Sequence, residues 1–237
     1  MKSVYIGSFI LLVVALLFFA YPSIAIATPP ASFPDSQLFT STPPEPELRQ
    51  AGVSRLALSA LTARTVDAFP SLEEFVASVK NGDAHSIAGV YVQRVLALRI
   101  VQQPANDPVY VSTEMGTATQ FRLASSYGTL GLLAHNDRSG IKFFDLRKKQ
   151  EVDVVYGDGT IRRYSVKNIR RFKPIRSEDP YSDFLDVDNG GALISSSQVF
   201  QQIFVGSDQV VFQTCIAADG NPTWGRLFVT ATPMAVN

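Results

Sequence analysis

From Ser86 onward the chain is a succession of short runs rich in Val, Ile, Tyr and Phe, separated by turn residues. Runs of this length and composition are typical of β-strands. The clearest pair flanks Gly157-Asp158-Gly159, because Asp-Gly readily adopts the positive φ that a tight hairpin turn requires. Residues 151–156 and 160–166 are therefore predicted to be antiparallel strands. Many short strands with little helix between them favour a closed or sandwiched β architecture.

The same reasoning predicts several further elements along the chain. Residues 195–204 are predicted to form a helix, since Ser195 and Gln198 match the capping-box pattern at its start. The other predicted strands or extended pieces are 89–101 (one or two strands), 109–111, 120–123, 131–135, 169–174, 208–216 and 225–231.

The first 27 residues have the layout of an export signal. Met1-Lys2 gives a positive start, residues 6–21 are almost wholly apolar, and Ala25-Ile26-Ala27 is a small-residue cleavage pattern. The apolar run is also close to the length of a spanning helix, roughly 17–25 residues, so an uncleaved membrane anchor is an equal alternative. Either way, we expect the protein to be extracytoplasmic, at the cell surface or secreted.

Three further regions follow this segment. Residues 28–47 are rich in Pro, Ser and Thr and are predicted to form an extended linker. Residues 48–85 are predicted to be a helical extension, with Ser71 and Glu74 as a capping box and Asn81-Gly82 as a stop signal. Residues 86–237 are predicted to be the β domain.

The charge of the whole chain is balanced, but the charge of one stretch is not. The chain has 21 basic and 21 acidic residues, so its net charge gives no case for nucleic acid as a partner. Residues 137–176, however, contain twelve Lys and Arg against five Asp and Glu. This stretch either faces an anionic surface such as a cell-wall polymer, or forms solvated faces of edge strands that discourage sheet-to-sheet pairing. The second interpretation is favoured.

The chain has one cysteine, Cys215, near the end of the predicted strand 208–216. In an exported protein a lone thiol pairs with another molecule or is kept for its reactivity. His135 ends the predicted strand 131–135, and Arg226 lies in the predicted strand that follows a loop at 217–222. An imidazolium favours the nucleophilic thiolate, and a fixed guanidinium stabilises negative charge on an acyl oxygen. The three side chains together are suited to acyl transfer.

These residues resemble the signature of the sortases, the cysteine transpeptidases of the bacterial cell surface. That signature has a Thr-Leu-x-Thr-Cys strand end, an arginine in the following apolar strand, and an upstream histidine after a small residue. Thr214-Cys215, Arg226 and Leu133-Ala134-His135 match it in order and spacing, with Ala where Gly is usual. The resemblance covers about 89–233. Val211 and Phe212, at the first two positions of the cysteine motif, depart from the common form.

The resemblance implies a mostly β fold, a closed sortase-type barrel of about eight strands with short helices. It implies that Cys215 attacks a C-terminal sorting signal of a secreted protein, with His135 as general acid and base and Arg226 holding the carbonyl or oxyanion. An amine from the cell wall or a pilin-like subunit would resolve the thioester. Thr214 and Trp224 are candidate substrate-binding residues by the same resemblance, and residues 176–204 would shape the pocket.

Two other functions stay open at this point. One is a thiol hydrolase on the same scaffold, which releases peptides instead of joining them. The other is a non-catalytic surface-binding domain whose site has decayed, with Cys215 as a buried small hydrophobe. L,D-transpeptidases also pair Cys with His and Arg, but their Ser-x-Gly-Cys segment is missing from this chain.

No cofactor or metal is predicted. One cysteine and two well-separated histidines make a zinc site unfavourable. The segment Asp186-Val187-Asp188-Asn189-Gly190 has some likeness to a calcium loop, but Ser197 at the twelfth position supplies no bidentate carboxylate. A solvated acidic turn is the favoured interpretation. The second histidine, His85, is predicted to lie in an exposed loop outside the site.

Overall fold

The computed structural model describes residues 69–177, 179, 182–206 and 208–235. The predicted segment 1–27, the linker 28–47 and the extension up to residue 68 lie outside the described residues. Within the described ranges, no helix is both long enough and apolar enough to cross a membrane. The described residues from Pro70 onward belong to one compact unit.

Strands dominate the described residues. In chain order they are β1 Ile87–Val92, β2 Leu96–Gln102, β3 Thr117–Phe121, β4 Thr129–Leu133, β5 Glu151–Tyr156, β6 Ile161–Pro174, β7 Phe184–Asp186, β8 Ala192–Ile194, β9 Gln209–Ala218 and β10 Asn221–Pro233. The helices are α1 Leu72–Val79, α2 Arg122–Ser125, a 3₁₀ helix Ser139–Asp145, and α3 Ser196–Phe204.

The sheet closes on itself as a barrel. The strand order is β10-β9-β4-β3-β2-β1-β5-β6, and pairing of β10 with β6 completes a ring of eight. The short strands β7 and β8 continue from β6 outside this ring. Pairs β2–β3 and β4–β9 are parallel, and the other pairs are antiparallel. The predicted closed barrel of about eight strands is confirmed.

Alternating side chains divide the apolar residues between two faces of the sheet. One cluster fills the barrel interior and includes Val90, Leu132, Val154, Phe212 and Val229. A second cluster lies on the outer face, where α3 packs against the sheet. Its members are Phe121, Ala124, Leu133, Phe172, Phe184, Ile194, Val199, Phe200, Ile203, Phe204, Val211 and Phe228.

The predicted hairpin is present and longer than expected. Thr160 donates its backbone N–H to the Asp158 carboxylate at 2.9 Å, and Gly159 has φ +93°. The predicted segments 160–166 and 169–174 are one strand, β6, which runs through a register shift opposite Thr230/Ala231 of β10. Residues 109–111 form no strand, and 120–123 are divided between the end of β3 and α2.

The end of the predicted helical extension packs directly on the barrel. Ser71 and Glu74 form the predicted capping box at the start of α1. Phe75 is buried against Tyr91, with ring centroids 5.7 Å apart, and a Cβ on Gly89 would lie 2.7 Å from its ring. The Tyr91 hydroxyl donates to the carbonyl of Pro70 at 2.9 Å. The boundary at residues 85 and 86 stays a prediction.

The arginines of the basic stretch are largely neutralised. Arg162 pairs with Asp208 at 2.7 Å, and Arg163 with Asp153 at 3.2 Å. Arg170 and Arg171 pair with Asp186 and Asp188, each at 2.5 Å, and Arg176 pairs with Asp179. These arginines do not protect a sheet edge, since β6 pairs with β5 and β7 on one side and β10 on the other. For β6 the edge-strand interpretation is therefore wrong.

Candidate active site

The candidate nucleophile and the candidate oxyanion-binding residue lie side by side. In the antiparallel pair β9–β10, Cys215 is the register partner of Arg226. Directly opposite residues project to the same face, with Cβ atoms about 5 Å apart. Val210 and Phe212 of β9 belong to the interior cluster and Val211 to the outer one. By alternation, Cys215 and Arg226 belong to the outer face.

His135 follows the strand on the other side of β9. The last register pair of the parallel strands β4 and β9 is Leu133 with Gln213, and Ala134 donates its N–H to the Gln213 carbonyl at 3.2 Å. Continuing this register by two residues brings His135 level with Cys215. Leu133 belongs to the outer cluster, so alternation assigns His135 to that face as well. Cys215 therefore has Arg226 as its register partner on β10, and the extended register predicts that His135, just after the end of β4, lies on its other side.

The half-buried His135 ring is held by a backbone carbonyl. Its Nε2 lies 3.3 Å from the carbonyl oxygen of Val111, in the connection between β2 and β3. A carbonyl oxygen only accepts, so this contact requires a proton on Nε2. The contact is compatible with the imidazolium form, in which both ring nitrogens carry protons.

A close turn follows His135. The His135 carbonyl accepts hydrogen bonds from the N–H groups of Arg138 at 3.0 Å and Gly140 at 2.9 Å. These bonds turn the chain into the 3₁₀ helix. A Cβ on Gly140 would lie 2.4 Å from Thr214 Oγ1 and 2.6 Å from the His135 carbonyl oxygen. Only glycine permits this approach between the turn and β9.

Arg226 is 2 % exposed and is oriented by a bulge in its own strand. One guanidinium nitrogen donates to the carbonyls of Thr223 at 3.0 Å and Gly225 at 2.8 Å, where the register shifts between Asn221 and Gly225. The Asn136 amide donates to the carbonyl of Pro222 at 3.1 Å, so the residue after His135 is tied to the same bulge.

The two predicted substrate-binding residues occupy different environments. Thr214 is buried and, by alternation, lies on the interior face with its Oγ1 against Gly140. This position indicates packing and argues against direct substrate contact by its side chain. Trp224 is half-buried in the β10 bulge, and Lys173 Nζ lies 4.9 Å from its ring centroid, within cation–π distance.

Sequence reasoning missed Gln213. It lies two residues before Cys215 on the same face of β9 and is 6 % exposed. Its Oε1 is buried and has no hydrogen-bond partner among the described residues. Its position two residues from the cysteine could have indicated a shared face, but nothing in the local pattern indicated that it would be buried.

The other sequence candidates lie away from this face. His85 is in the loop before β1, beside the 157–159 turn, where the Ser86 carbonyl accepts the Gly157 N–H. The carboxylates of Asp186 and Asp188 are held by arginines, and Asp186 is buried, so this turn is less solvated than expected. The described residues contain no group of three side chains suited to holding a metal ion.

None of the models of known protein families matches this chain, and no curated protein matches its sequence. Solved structures do match. The fold is similar to that of the sortases. Sortase A from Listeria monocytogenes shares 13% identity at a TM-score of 0.41, with 65% of this chain and 89% of that chain covered.

Two sortases C are also similar. Sortase C1 from Streptococcus suis has 13% identity and a TM-score of 0.43, covering 70% of this chain and 79% of its own. Sortase C-1 from Actinomyces oris has 15% identity and a TM-score of 0.40, covering 77% and 96%. The sequence motifs resemble the same family. The chemistry proposed below rests on the residues and the strand register of this chain.

Proposed function

We propose that this protein is a sortase-type cysteine transpeptidase that works outside the cytoplasmic membrane. The single observation that carries the proposal is the register at β9, which pairs Cys215 with Arg226 on one side and, continued two residues past Leu133–Gln213, supports a position for His135 on the other. A thiol, an imidazole and a guanidinium on one face of three adjacent strands are the groups that acyl transfer from a peptide requires.

In the first step, the Cys215 thiolate attacks the carbonyl carbon of the scissile peptide bond. Arg226 stabilises the negative charge that develops on the carbonyl oxygen, and its buried position makes this interaction stronger than in water. The His135 imidazolium gives its proton to the leaving amine as the C–N bond breaks. A thioester remains on Cys215, and the C-terminal fragment leaves.

In the second step, an amine attacks the thioester. Neutral His135 accepts a proton from the attacking nitrogen, the C–S bond breaks, and Cys215 returns to the thiolate. The product is the secreted protein joined through a new amide bond to cell wall or to another subunit. Water in place of the amine gives the hydrolase alternative, so the two functions differ only in the second step.

The substrate is proposed to be the C-terminal sorting signal of a secreted protein, bound along the outer face beside Cys215. The unpartnered Gln213 Oε1 lies on this face and offers an acceptor to a substrate N–H group. Trp224, two residues before Arg226 in β10, remains a candidate contact for the substrate.

The test uses the purified full chain and a library of peptides with sorting-signal character. Intact-mass spectrometry would detect the thioester on Cys215, and chromatography would separate joined from hydrolysed products, with and without cell-wall amines and lysine peptides. Cys215→Ala and His135→Ala should each abolish turnover, and His85→Ala should leave it unchanged. Activity should be bell-shaped in pH, because the first step needs an ionised thiol and a protonated imidazole.

Each alternative gives a different result in the same assay. If every amine tried gives only the hydrolysed product, the protein is a thiol hydrolase and not a transpeptidase. Absence of any thioester across the library, with an intact and alkylatable Cys215, would favour the non-catalytic surface-binding domain. Full turnover by His135→Ala would remove His135 from the mechanism.

A further inference from the structure

The 3₁₀ helix that follows His135 presents two different surfaces. Side chains three residues apart are aligned in a 3₁₀ helix. Gly140, Phe143 and Leu146 accordingly face the barrel, and Phe143 packs edge-on against Phe212 with ring centroids 5.1 Å apart. Apart from Ser139, which is buried, the residues on the other two edges are turned to solvent. One of them carries Ile141 and Phe144, which are 54% and 37% exposed.

Cations accompany these exposed apolar side chains. Lys142 lies on the helix, and Arg147, Lys148 and Lys149 follow its end. All four are exposed, and in the part of the chain that the structure describes none of them is within salt-bridge distance of a carboxylate. We call Ile141, Lys142, Phe144, Arg147, Lys148 and Lys149 the basic-apolar surface. Among the described residues, two carboxylates lie near this surface: the exposed Asp145 on the same helix, and Asp188, which pairs with Arg171 and lines a groove with Phe144 and Arg147.

The cations of the basic-apolar surface differ from the arginines of β6 in having no carboxylate partner among the described residues. The arginines of β6 are each bonded to an aspartate, so most of their charge is compensated within the barrel. The basic-apolar surface keeps its charge. The Arg147 guanidinium is held at the helix end by the Phe144 and Leu146 carbonyls at 2.6 and 3.0 Å, so one cation stays next to the exposed ring.

This surface lies at the candidate active-site end of the barrel. Gly140 at the start of the helix contacts the residue before Cys215, and Phe144 and Arg147 line a groove of about 330 Å³ together with Arg171 and Leu227. Whatever binds the basic-apolar surface is therefore held beside the end of β9.

We propose that the basic-apolar surface docks on a bilayer of anionic phospholipid. Headgroup phosphates would bind the four cations, while Ile141 and Phe144 would enter the interface between headgroups and acyl chains. A soluble polyanion would use the cations alone and leave the exposed Ile141 and Phe144 unexplained. A membrane partner also agrees with the apolar run predicted from the sequence at 6–21. The proposal does not depend on the transpeptidase activity.

A single tryptophan gives a local test in the full chain. Trp224→Phe removes the only tryptophan, and Phe144→Trp then reports from the basic-apolar surface. Ile161→Trp in the same background is a matched control, since Ile161 is 36% exposed and lies at the hairpin end of β6. Quenching by brominated lipid would be measured in vesicles of phosphatidylcholine with and without phosphatidylglycerol. Every variant keeps the N-terminal segment, so any attachment through it is equal.

We expect the fluorescence of the Phe144→Trp variant to be quenched in the phosphatidylglycerol vesicles and that of the Ile161→Trp variant not to be. Lys142→Gln, Arg147→Gln and Lys148→Gln should each weaken the phosphatidylglycerol dependence about fivefold, the factor that one cation contributes at an anionic leaflet. In the unmutated chain, anionic vesicles should protect Lys142 and Lys148 from acetylation but leave Lys80 and Lys167 reactive.

Three results would overturn the proposal. The first is equal quenching of the Phe144→Trp and Ile161→Trp variants. The second is equal quenching of the Phe144→Trp variant with and without phosphatidylglycerol. The third is acetylation protection by soluble polyglycerol phosphate with none by vesicles, which would assign the surface to a wall polymer.

Discussion

Gly140 shows how a single residue without a side chain sets the candidate site. It lies where the His135 turn, the start of the 3₁₀ helix and Thr214 of β9 converge. Its neighbours include two backbone carbonyls, of Ala134 and His135, which cannot move aside as a side-chain end can. The position of the His135 turn relative to β9 therefore depends on residue 140 having no Cβ.

We predict that Gly140→Ala lowers the rate at which Cys215 is alkylated near neutral pH, because the added methyl group displaces the His135 turn. Overpacking of this kind also costs about 1–3 kcal/mol of stability. Gly131→Ala is the control, since its Cβ would lie 2.9 Å from Ala124 Cβ and 3.0 Å from Phe121 Cβ, away from the turn. Equal alkylation rates in the two folded variants would contradict the prediction.

Arg226 allows a second prediction at this scale. Arg226→Lys keeps the charge but replaces the planar guanidinium, one nitrogen of which donates to the Thr223 and Gly225 carbonyls, with a single ammonium group. We expect the turnover number for peptide cleavage to fall about 10²-fold, the size of effect seen when an oxyanion donor is removed. KM should change little. A lysine variant with the parental turnover number would exclude a specific role for the guanidinium.

At the scale of elements, α1 is part of what stabilises the barrel. Phe75 inserts between Gly89 and the Tyr91 ring, and Leu72, Val76 and Val79 surround it. We predict that Phe75→Ala lowers the free energy of unfolding by about 3 kcal/mol, the typical cost of such a cavity. Urea denaturation measures it, with Leu193→Ala, which is exposed, as the control. A change under about 1 kcal/mol would mean that α1 is only loosely attached.

The turn after β7 supports a pH prediction. Partial burial alone favours the protonated form of Asp188, but hydrogen bonds from the Arg171 side chain and N–H outweigh it and hold its pKa below the ordinary value. A carboxyl with a lowered pKa stabilises the fold above its unfolded-state pKa of about 3.9, and this contribution is lost as pH falls through the folded-state pKa.

Asp188→Asn should therefore be less stable than the parent between about pH 5 and 7, and the gap should close as pH falls through the lowered folded-state pKa of Asp188. Thermal melts across this range measure the gap, with the exposed Asp145→Asn as the control. A gap that is the same at every pH would assign the effect of the substitution to packing instead of charge.

At the scale of the molecule, local signals predicted much of the fold. Asp158-Gly159 gave the β5–β6 hairpin, Ser71 and Ser195 gave two capped helices, and the loop composition after Ile216 correctly predicted adjacent Cys215 and Arg226 strands. Each of these rests on residues close together in the chain, where turn and capping chemistry act directly.

The remainder depends on contacts between distant residues. The parallel pairing of β4 with β9 joins Leu133 to Gln213 across 80 positions, and no pattern in either strand indicates the other. The bond from Asn136 to Pro222 likewise joins residues far apart in the chain, and the burial of Gln213 depends on the neighbouring strands that cover it. The sequence indicated candidate catalytic side chains, and the barrel register pairs two of them, Cys215 and Arg226.

The pH dependence of Cys215 alkylation in the full chain tests the proximity of His135 and Cys215 most directly, and it needs no substrate. We expect the parent and His85→Gln to share one profile, and His135→Gln to be alkylated more slowly, because the thiolate would lose the support of a neighbouring imidazole. Identical profiles for the parent and His135→Gln would contradict the account, because Cys215 would then have no functional contact with His135.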